Sequence, residues 1–445
     1  MTKALYFFLF TIVLVTISCS TEDNIINGLD EEQTIESKLL ETGLPLVSIQ
    51  TLSGEDPSCE YVSAPSGSVG RSITNNDKIP GRLVIKKKNI VLYDSGNYDA
   101  NISGITIRVR GNSSAYTNKK PYKIQLQKKE DLLFREDGDK FEDKSWVLIK
   151  DSEANTLKDE MSLKPYIGMK VAEIIGMEYV PQGRYVNLLL NGKYKGIYFL
   201  SENVKRNNDC RVKVKKRSGF IVEYDPYWWN EDVYFETRFT SDVFKFTMKY
   251  PDEDELNEEW KANIIQTITE AENGIFENHY QDLIDIPSFV KWIMAHDIMG
   301  TGDGAGINKY IVKEDNTSNT LLKMGPLWDF DGIMQLTDAW PYVHSNDANN
   351  FYYRRLLRYR GFVNQYKEVW NSISSTVFQQ IDASLEEYAR SEEAQSLMAS
   401  RKLENEECEI EYKSVSDNIV FAKKFFKERH EWLDIEIEAM AGIWY

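Results

Sequence analysis

Hydrophobic and polar residues alternate through much of the first half of the chain. Residues 104–110 are the clearest case, because every second position is apolar. This period of two is typical of a strand with one buried face. Residues 185–190 and 194–200 are two further apolar runs, and Asn191-Gly192 between them favours a tight hairpin turn. Other strand-like runs lie at 82–93, 120–126, 146–149, 211–215 and 219–224.

Beyond residue 255 the apolar residues follow a helical period instead. Amphipathic segments extend over 256–277, 286–299 and 351–372, and others continue to the C-terminus. A predicted β-hairpin at 310–324 interrupts them. The pattern therefore predicts an α+β protein with a β-rich N-terminal lobe at 44–254 and a helical C-terminal lobe at 255–445. This is the outline of a two-lobed phosphotransferase, but many other α+β proteins share it, so the outline alone decides little.

One helical period lies inside the β-rich half, between residues 155 and 177. Its apolar positions recur every three or four residues. Pro165 falls within it, and proline inside a helix removes a hydrogen bond and clashes with the preceding turn. We therefore expect this helix to be kinked or split near Pro165.

The N-terminus carries a secretion signal. Lys3 is followed by an apolar run over 5–15 and by small residues before Cys19. This arrangement predicts a signal peptide at 1–18 and a lipid-modified Cys19, while an ordinary secreted protein is the other interpretation. The apolar run is shorter than the ~20 residues that a transmembrane helix needs. With an acidic, flexible tether at 19–43, the sequence predicts a lipoprotein of the cell envelope, anchored in the outer membrane.

Charge and composition exclude several classes of function. The net charge of −17 argues against binding nucleic acid through its phosphates. Apart from Cys19, the chain has three dispersed cysteines and four scattered histidines, which form neither a disulfide framework nor a zinc motif. Any chemistry must therefore depend on carboxylates and lysines.

The first candidate site is the glycine-rich segment from Thr301 to Asn308. Asp303 and Asn308 have four residues between them, the interval of the kinase catalytic loop. In that loop the aspartate orients the attacking hydroxyl and the asparagine binds Mg²⁺. The segment follows a predicted helix and precedes a predicted hairpin, which is where a kinase places this loop.

The second candidate site follows the hairpin. Asp329 and Asp331 flank Phe330, and Gly332 comes next. Carboxylate oxygens are the ligands that Mg²⁺ prefers, and we expect Phe330 to pack inward between them. The alternative is a tight turn in which the aspartates only cap the backbone.

The third candidate site is the turn Arg110-Gly111-Asn112-Ser113, between two predicted strands. Backbone N–H groups in such a turn can cradle phosphates. Lys123 lies on the next strand, where its ammonium can reach the same oxygens. We expect its strand neighbours Tyr122 and Ile124 to point into the core. The alternative is that Lys123 is one of several solvated lysines.

Five blocks in the chain occur in a characteristic order. They are RGNSS at 110–114, KKPYKI at 119–124, NGKYKGIYFLSE at 191–202, GFIVEYD at 219–225 and GPLWDFD at 325–331. Together with the helical tail at 351–356 and 429–434, this ordered set resembles the spore coat protein CotH kinase family.

The resemblance implies an atypical protein kinase-like, two-lobed fold. It also implies that the protein binds ATP with Mg²⁺ or Mn²⁺ and phosphorylates protein serines or threonines. It implies Asp303 as the catalytic aspartate, working with Lys123. It implies Asn308, Asp329 and Asp331 as metal ligands, and it places the segment from Glu202 to Val204 beside the adenine.

The chain departs from the family pattern at two places. Residues 151–160 lack the usual Arg-Asn pair, which leaves the partner of Lys123 unassigned, and Asp297 stands where a glutamate is expected. Because such changes fit a lost activity, the alternative is an inactive scaffold lipoprotein that binds a protein or glycan. A glycosidase with two carboxylates is a third class, but no motif selects the pair.

The predicted partners are ATP, a serine-rich acceptor protein and the membrane. Residues 205–217 contain seven basic side chains in an otherwise acidic chain. They predict either a solvated sheet edge or a surface for an acidic partner.

Overall fold

The computed structural model describes residues 34–68, 70–74, 77–150, 163–239, 242–302, 308–317, 319–344, 351–408 and 413–442. It contains many helices and strands, so the predicted α+β class is confirmed. The predicted signal peptide and Cys19 lie outside the described residues, as does residue 303. Residues 35–41, at the end of the predicted tether, form helix α1 (Ile35–Glu41), whose Leu39 is buried.

The first sheet has eight strands and closes on itself. The strands are β1 (Leu46–Thr51), β4 (Ile79–Lys87), β5 (Ile90–Asp94), β6 (Ile105–Val109), β7 (Tyr122–Glu130), β8 (Asp143–Lys150), β9 (Gly183–Leu190) and β10 (Lys193–Glu202). Their order is β1-β9-β10-β8-β7-β6-β4-β5, and β4 also pairs with β1, which closes the ring. Only β1 and β9 are parallel. A separate hairpin consists of β2 (Tyr61–Ser63) and β3 (Arg71–Ile73).

The inside of this sheet is apolar. On β6 the residues Ile105, Ile107 and Val109 are buried, and Ile124 of β7 joins them. Each such aliphatic side chain contributes about 1.5–3 kcal/mol by its burial. The intervening residues face outward, and Lys123 is paired in register with a residue of β6 on that outer face. The predicted alternation along β7 is thereby confirmed.

The hairpin at Asn191-Gly192 is also confirmed. These residues connect β9 and β10, with Lys193 paired to Leu190 across the turn. Asn191 has φ +50 and Gly192 φ +74. Two consecutive positive φ values define the tight turn that the dipeptide favours.

The second sheet is antiparallel throughout. Its strands are β11 (Phe220–Tyr224), β12 (Tyr234–Phe239), β13 (Asp242–Tyr250), β14 (Lys309–Lys313) and β15 (Lys323–Met324), in the order β12-β13-β11-β14-β15. The pairing of β14 with β15 confirms the predicted hairpin. The sheet combines strands from both sides of residue 255.

The strand expected at 211–215 is wrong. In this segment only Val212 makes a β-bridge, to Arg206. Local hydrogen bonds use the amides that a ladder would need, because Arg211 N donates to Asn207 O and Val214 N donates to the side chain of Asn208. Turn-forming asparagines therefore override the alternating pattern.

Helices cover the second half of the chain. They are α3 (Glu258–Glu277), α4 (Ile286–Met299), α5 (Tyr353–Leu356), α6 (Arg360–Arg390), α7 (Glu392–Cys408) and α8 (Val415–Ala439), and α2 (Lys164–Ile175) precedes them. Pro165 causes no kink, because it lies in the first turn of α2, where the amides have no helical partner. Among the described helices, none has the length and hydrophobicity needed to cross a membrane.

Candidate functional site

Nearly all the candidate residues meet in one cavity. Its volume is about 280 Å³, and it lies between the outer face of β6 and β7, the second sheet and the start of α2. The sequence-predicted residues that line it are Arg110, Gly111, Asn112, Ser113, Lys123, Val204, Asn308, Asp329 and Asp331. Positions more than 200 residues apart in the sequence are thus brought together.

The cavity wall is highly charged but balanced. Its basic residues are Arg108, Arg110, Lys123, Lys150 and Lys249, and its acidic residues are Glu223, Asp225, Glu231, Asp329 and Asp331. Cations suit phosphate oxygens, and carboxylates suit a divalent metal. The wall therefore fits a ligand that carries both.

Asn308 and Asp329 lie side by side at this wall. Asn308 Nδ2 donates a hydrogen bond of 2.9 Å to Asp329 Oδ2. Both residues have a left-handed backbone, with φ of +59 and +65. Asn and Asp are enriched among the non-glycine residues in this conformation, and strained positions concentrate at functional sites. The two predicted metal ligands are thus neighbours.

Phe330 fixes the carboxylates on either side of it. Its ring is buried and packs so closely on Gly168 of α2 that a β-carbon there would lie 2.1 Å from the ring. The expectation that Phe330 packs inward is confirmed. The carbonyl of Asp331 accepts a 2.6 Å hydrogen bond from Lys164 Nζ, which holds the loop to α2 a second time. Asp329 is half-buried and Asp331 exposed, and both face the cavity.

Asp303, the predicted catalytic residue, lies outside the described residues. The residues that flank its segment, Gly302 and Asn308, are both bound to the loop at 329–332. Gly302 N donates to Gly332 O at 2.8 Å, and Asn308 contacts Asp329.

The turn after β6 is held by its asparagine. Asn112 Oδ1 accepts hydrogen bonds from Ser72 Oγ and Asn230 Nδ2, each at 2.8 Å. This contact joins the turn to the loop that follows β11. Gly111 has φ +88, and a β-carbon there would lie 2.2 Å from a serine hydroxyl, so the turn requires glycine.

Arg110 brings a positive charge to the carboxylates. Its guanidinium lies 5.6 Å from the ring centroid of Trp328. Burial lowers the pKa of Arg110, while Tyr310, Asp329 and Glu223 act in the opposite direction. The arginine therefore lies close enough to the predicted metal ligands to act on the same bound group.

Lys123 is a half-buried cation of the cavity wall. Among the described residues, no group forms a hydrogen bond or ion pair with its ammonium. Burial lowers its pKa from 10.5 to about 7, and the positive charges of Arg108, Lys249 and Lys205 add to this effect. A lysine in this state gains from an incoming anion, because the anion would restore its charge.

The segment from Glu202 to Val204 is divided. Val204 lines the cavity, but Glu202 does not. The Glu202 carboxylate is buried and accepts hydrogen bonds from Tyr179 OH at 3.1 Å and Gln182 N at 3.0 Å. Arg135 pairs with it at 2.9 Å. The Glu202 carboxylate is therefore engaged by its neighbours and is not part of the cavity lining.

The residues predicted from the sequence do not include Glu223, Asp225 and Lys249, all of which line the cavity. Glu223 and Asp225 end the GFIVEYD block, and both line the cavity. Burial, reinforced by Glu223, raises the pKa of Asp225 to about 7. Alternate residues of a strand share a face, so the two-residue spacing of Glu223 and Asp225 could have indicated that both carboxylates lie on one side. Lys249 resembles any other strand lysine in the sequence.

A divalent metal fits the site only together with phosphate. Asn308, Asp329 and Asp331 supply hard oxygen atoms, as Mg²⁺ requires. Within the described parts of the chain, no group of three or more His, Cys, Asp and Glu residues is arranged to hold a metal alone. Mg²⁺ commonly uses one or two carboxylates plus phosphate and water oxygens, and these residues match that pattern.

Comparison with known proteins gives the class. A family model described as CotH kinase protein matches residues 107–433, well over half of the chain. The chain therefore belongs to the CotH family, and the resemblance seen in the five sequence blocks is confirmed. The search of curated proteins found no match.

Proposed function

We propose that this chain is a protein kinase that transfers the γ-phosphate of ATP to serine or threonine residues of another protein. The observation that supports this most directly is the meeting of three elements in one cavity of a CotH-family protein. These are the adjacent Asn308 and Asp329, the turn that begins at Arg110, and Lys123.

Each element has a role in phosphoryl transfer. The turn from Gly111 to Ser113 offers backbone N–H groups to the phosphates, and Arg110 adds a fixed charge. Asn308 and Asp329 hold the metal, with Asp331 beside them. Mg²⁺ or Mn²⁺ neutralises the charge that develops on the phosphate oxygens. In this proposal Val204, which lines the cavity, contacts the adenine.

Asp303 orients the acceptor hydroxyl in this proposal. The assignment follows from its interval to Asn308 and from the contacts of the residues that flank its segment with the loop at 329–332. Transfer would occur at the junction of the two predicted lobes. The cavity is lined both by residues before position 255, such as Lys123, and by residues after it, such as Asp329, which supports that arrangement.

The cellular setting is also part of the proposal. The N-terminal sequence supports a lipoprotein anchored through Cys19 in the outer membrane, at its surface or periplasmic face. The acceptor would be a serine-rich envelope protein. ATP is scarce in that compartment, so the nucleotide supply is a separate requirement.

A second candidate function is an inactive scaffold that retains the fold. One observation favours it: among the described residues, Lys123 has no carboxylate partner of the kind that positions the phosphate-binding lysine in protein kinases. Such a protein would bind its partner without transferring phosphate.

The test uses residues 35–445, which form one unit of the chain. This protein is incubated with γ-labelled ATP, Mg²⁺ and a serine-rich acceptor. We expect label in the wild type and a loss of at least about 100-fold in Asp303→Ala, because positioned acid–base groups contribute about 10²–10⁴-fold. Asp209→Ala, at an exposed aspartate outside the cavity, is the matched control and should keep the wild-type rate.

No label in the wild type, together with no nucleotide-induced rise in melting temperature, would leave the scaffold function. Equal label in the wild type and Asp303→Ala would refute the role given to Asp303.

A further inference from the structure

The cavity contains a second lysine whose surroundings differ from those of Lys123. Lys249 lies on β13 and lines the same cavity. Its Nζ is 2.8 Å from Glu223 Oε2 and 3.5 Å from Glu231 Oε1. About 21% of its side chain remains accessible, so a ligand in the cavity can still reach it. Lys123, by contrast, has no such partner among the described residues.

The backbone directs Lys249 by a local irregularity. Between β11 and β13, Val222 pairs with Met248, but Ile221 pairs with Tyr250. Lys249 is therefore the extra residue of a β-bulge. Bulges redirect a side chain and are over-represented next to active sites.

The partner of Lys249 is held rigidly. Glu223 lies on β11, the central strand of the second sheet, and β14 pairs with it on the other side. Tyr310 is directly opposite Glu223 on β14. Lys249, Glu223 and Tyr310 all line the cavity.

The charges favour Lys249 as the permanent cation. Burial alone would lower the pKa of Lys249, but Glu223, Glu231 and Asp225 together raise it well above its ordinary value. Lys249 is therefore fully protonated at neutral pH. Lys123 is only partly protonated there, since its pKa is about 7.

We propose that Lys249, oriented by Glu223, is the principal phosphate-binding lysine of this cavity, and that Lys123 contributes less. The ion pair between Lys249 and Glu223 is the lysine–glutamate pair of the site. This inference rests on the proposed nucleotide-binding function and adds to it the residue that recognises the polyphosphate.

The experiment measures binding to the full chain by calorimetry. The probes are ATP with Mg²⁺, inorganic tripolyphosphate and adenosine. The variants are Lys249→Met, Lys249→Arg and Lys123→Met. The matched control is Lys245→Met, because Lys245 is on the same strand but packs over Trp228 at 3.7 Å, outside the cavity lining.

Lys249→Met should weaken ATP and tripolyphosphate by about 10–100-fold, the loss expected for charge-assisted hydrogen bonds. Adenosine affinity should not change. Lys249→Arg should recover most of the affinity because it keeps the positive charge. If the ion pair had a purely structural role, its loss would not affect tripolyphosphate affinity alone. Lys245→Met should bind like the wild type.

Two results would overturn the inference. One is wild-type phosphate affinity in Lys249→Met, and the other is a larger loss in Lys123→Met than in Lys249→Met. If the wild type binds neither ATP nor tripolyphosphate, the proposed function fails as well. If tripolyphosphate binding depends on Lys249 but ATP is not used for transfer, the kinase proposal fails and the anion site stands.

Discussion

Two aspartates of this protein, Asp297 and Asp329, carry the same carboxyl group in very different surroundings. Asp297, in α4, is fully buried, and its carboxylate accepts hydrogen bonds from His344 Nε2 at 2.9 Å and Tyr366 OH at 2.6 Å. Its backbone carbonyl accepts a further bond of 2.7 Å from Arg429 Nε. Asp329 is half-buried at the cavity wall and lies beside Asn308.

The difference lies in what each carboxylate can still bind. The Asp297 carboxylate is enclosed by its donors His344 and Tyr366 and has no exposed surface for a ligand. Asp329 retains access to the cavity and is held on a strained backbone. The position where the resemblance led us to expect glutamate is thus part of the packing of α4 against α6 and α8. Asp297 is not among the residues that line the cavity.

The largest effect is expected at Asp297. Asp297→Ala should lower the free energy of unfolding by about 3 kcal/mol, because it leaves His344 and Tyr366 buried without their acceptor. Urea denaturation measures this change. Asp297→Asn, which keeps one acceptor oxygen, should lose less. A loss in Asp297→Ala below about 1 kcal/mol would mean that this cluster is not structural.

The next effect tests whether packing on α2 positions the cavity loop. Gly168→Ala should force the Phe330 ring to move, since the added carbon would lie 2.1 Å from it. We expect a loss of about 1–3 kcal/mol in stability, together with weaker nucleotide binding. Gly138→Ala is the control, because the nearest atom to its added carbon is 3.9 Å away. Unchanged affinity in Gly168→Ala would separate Phe330 from the site.

A smaller effect depends on pH through Lys123. Its pKa is about 7 in the folded protein and 10.5 as an ordinary lysine, so the unfolded chain binds more protons between these values. Burial of the charged form of Lys123 therefore lowers the free energy of unfolding below pH 7, and this penalty is relieved as the pH rises. From pH 7 to 9 the wild type should gain up to about 2 kcal/mol relative to Lys123→Met.

Chemical denaturation of both proteins at the two pH values measures this difference. Parallel curves would show that Lys123 is solvated like a surface lysine.

The smallest effect concerns the contact between the two cavity loops. Asn230→Ala removes one hydrogen bond to Asn112, which keeps its bond from Ser72. The expected cost is about 1 kcal/mol of stability and a few-fold loss in nucleotide affinity. A melting curve and a titration measure the two quantities. An effect on stability alone would limit this contact to a structural role.

The sequence predicted the local features well. The alternation of apolar and polar residues identified β6 and β7, and Asn191-Gly192 marked a turn. The position of Phe330 between two aspartates indicated an aromatic ring that packs inward. Each of these depends on neighbouring residues, so a period or a dipeptide suffices to detect it. The site residues between Arg110 and Asp331 that share the cavity were predicted from sequence motifs and from the order in which these motifs occur along the chain.

Long-range features were not accessible in this way. The closure of the first sheet depends on β1 meeting β4. The importance of Lys249 depends on a bulge in its pairing with β11. The enclosure of Glu202 depends on Arg135, 67 positions earlier in the chain. Pairing register is a property of two distant segments, and neither segment encodes it alone.

The central claim is that the cavity binds a metal–nucleotide complex through Asp329. The most direct measurement is calorimetric titration of a non-hydrolysable ATP analogue into the wild type and Asp329→Ala, with and without Mg²⁺. We expect binding that requires Mg²⁺ in the wild type and is weakened by about 100-fold or more in Asp329→Ala, at similar melting temperatures. Equal affinity in the two proteins, or no binding in the wild type, would contradict the claim.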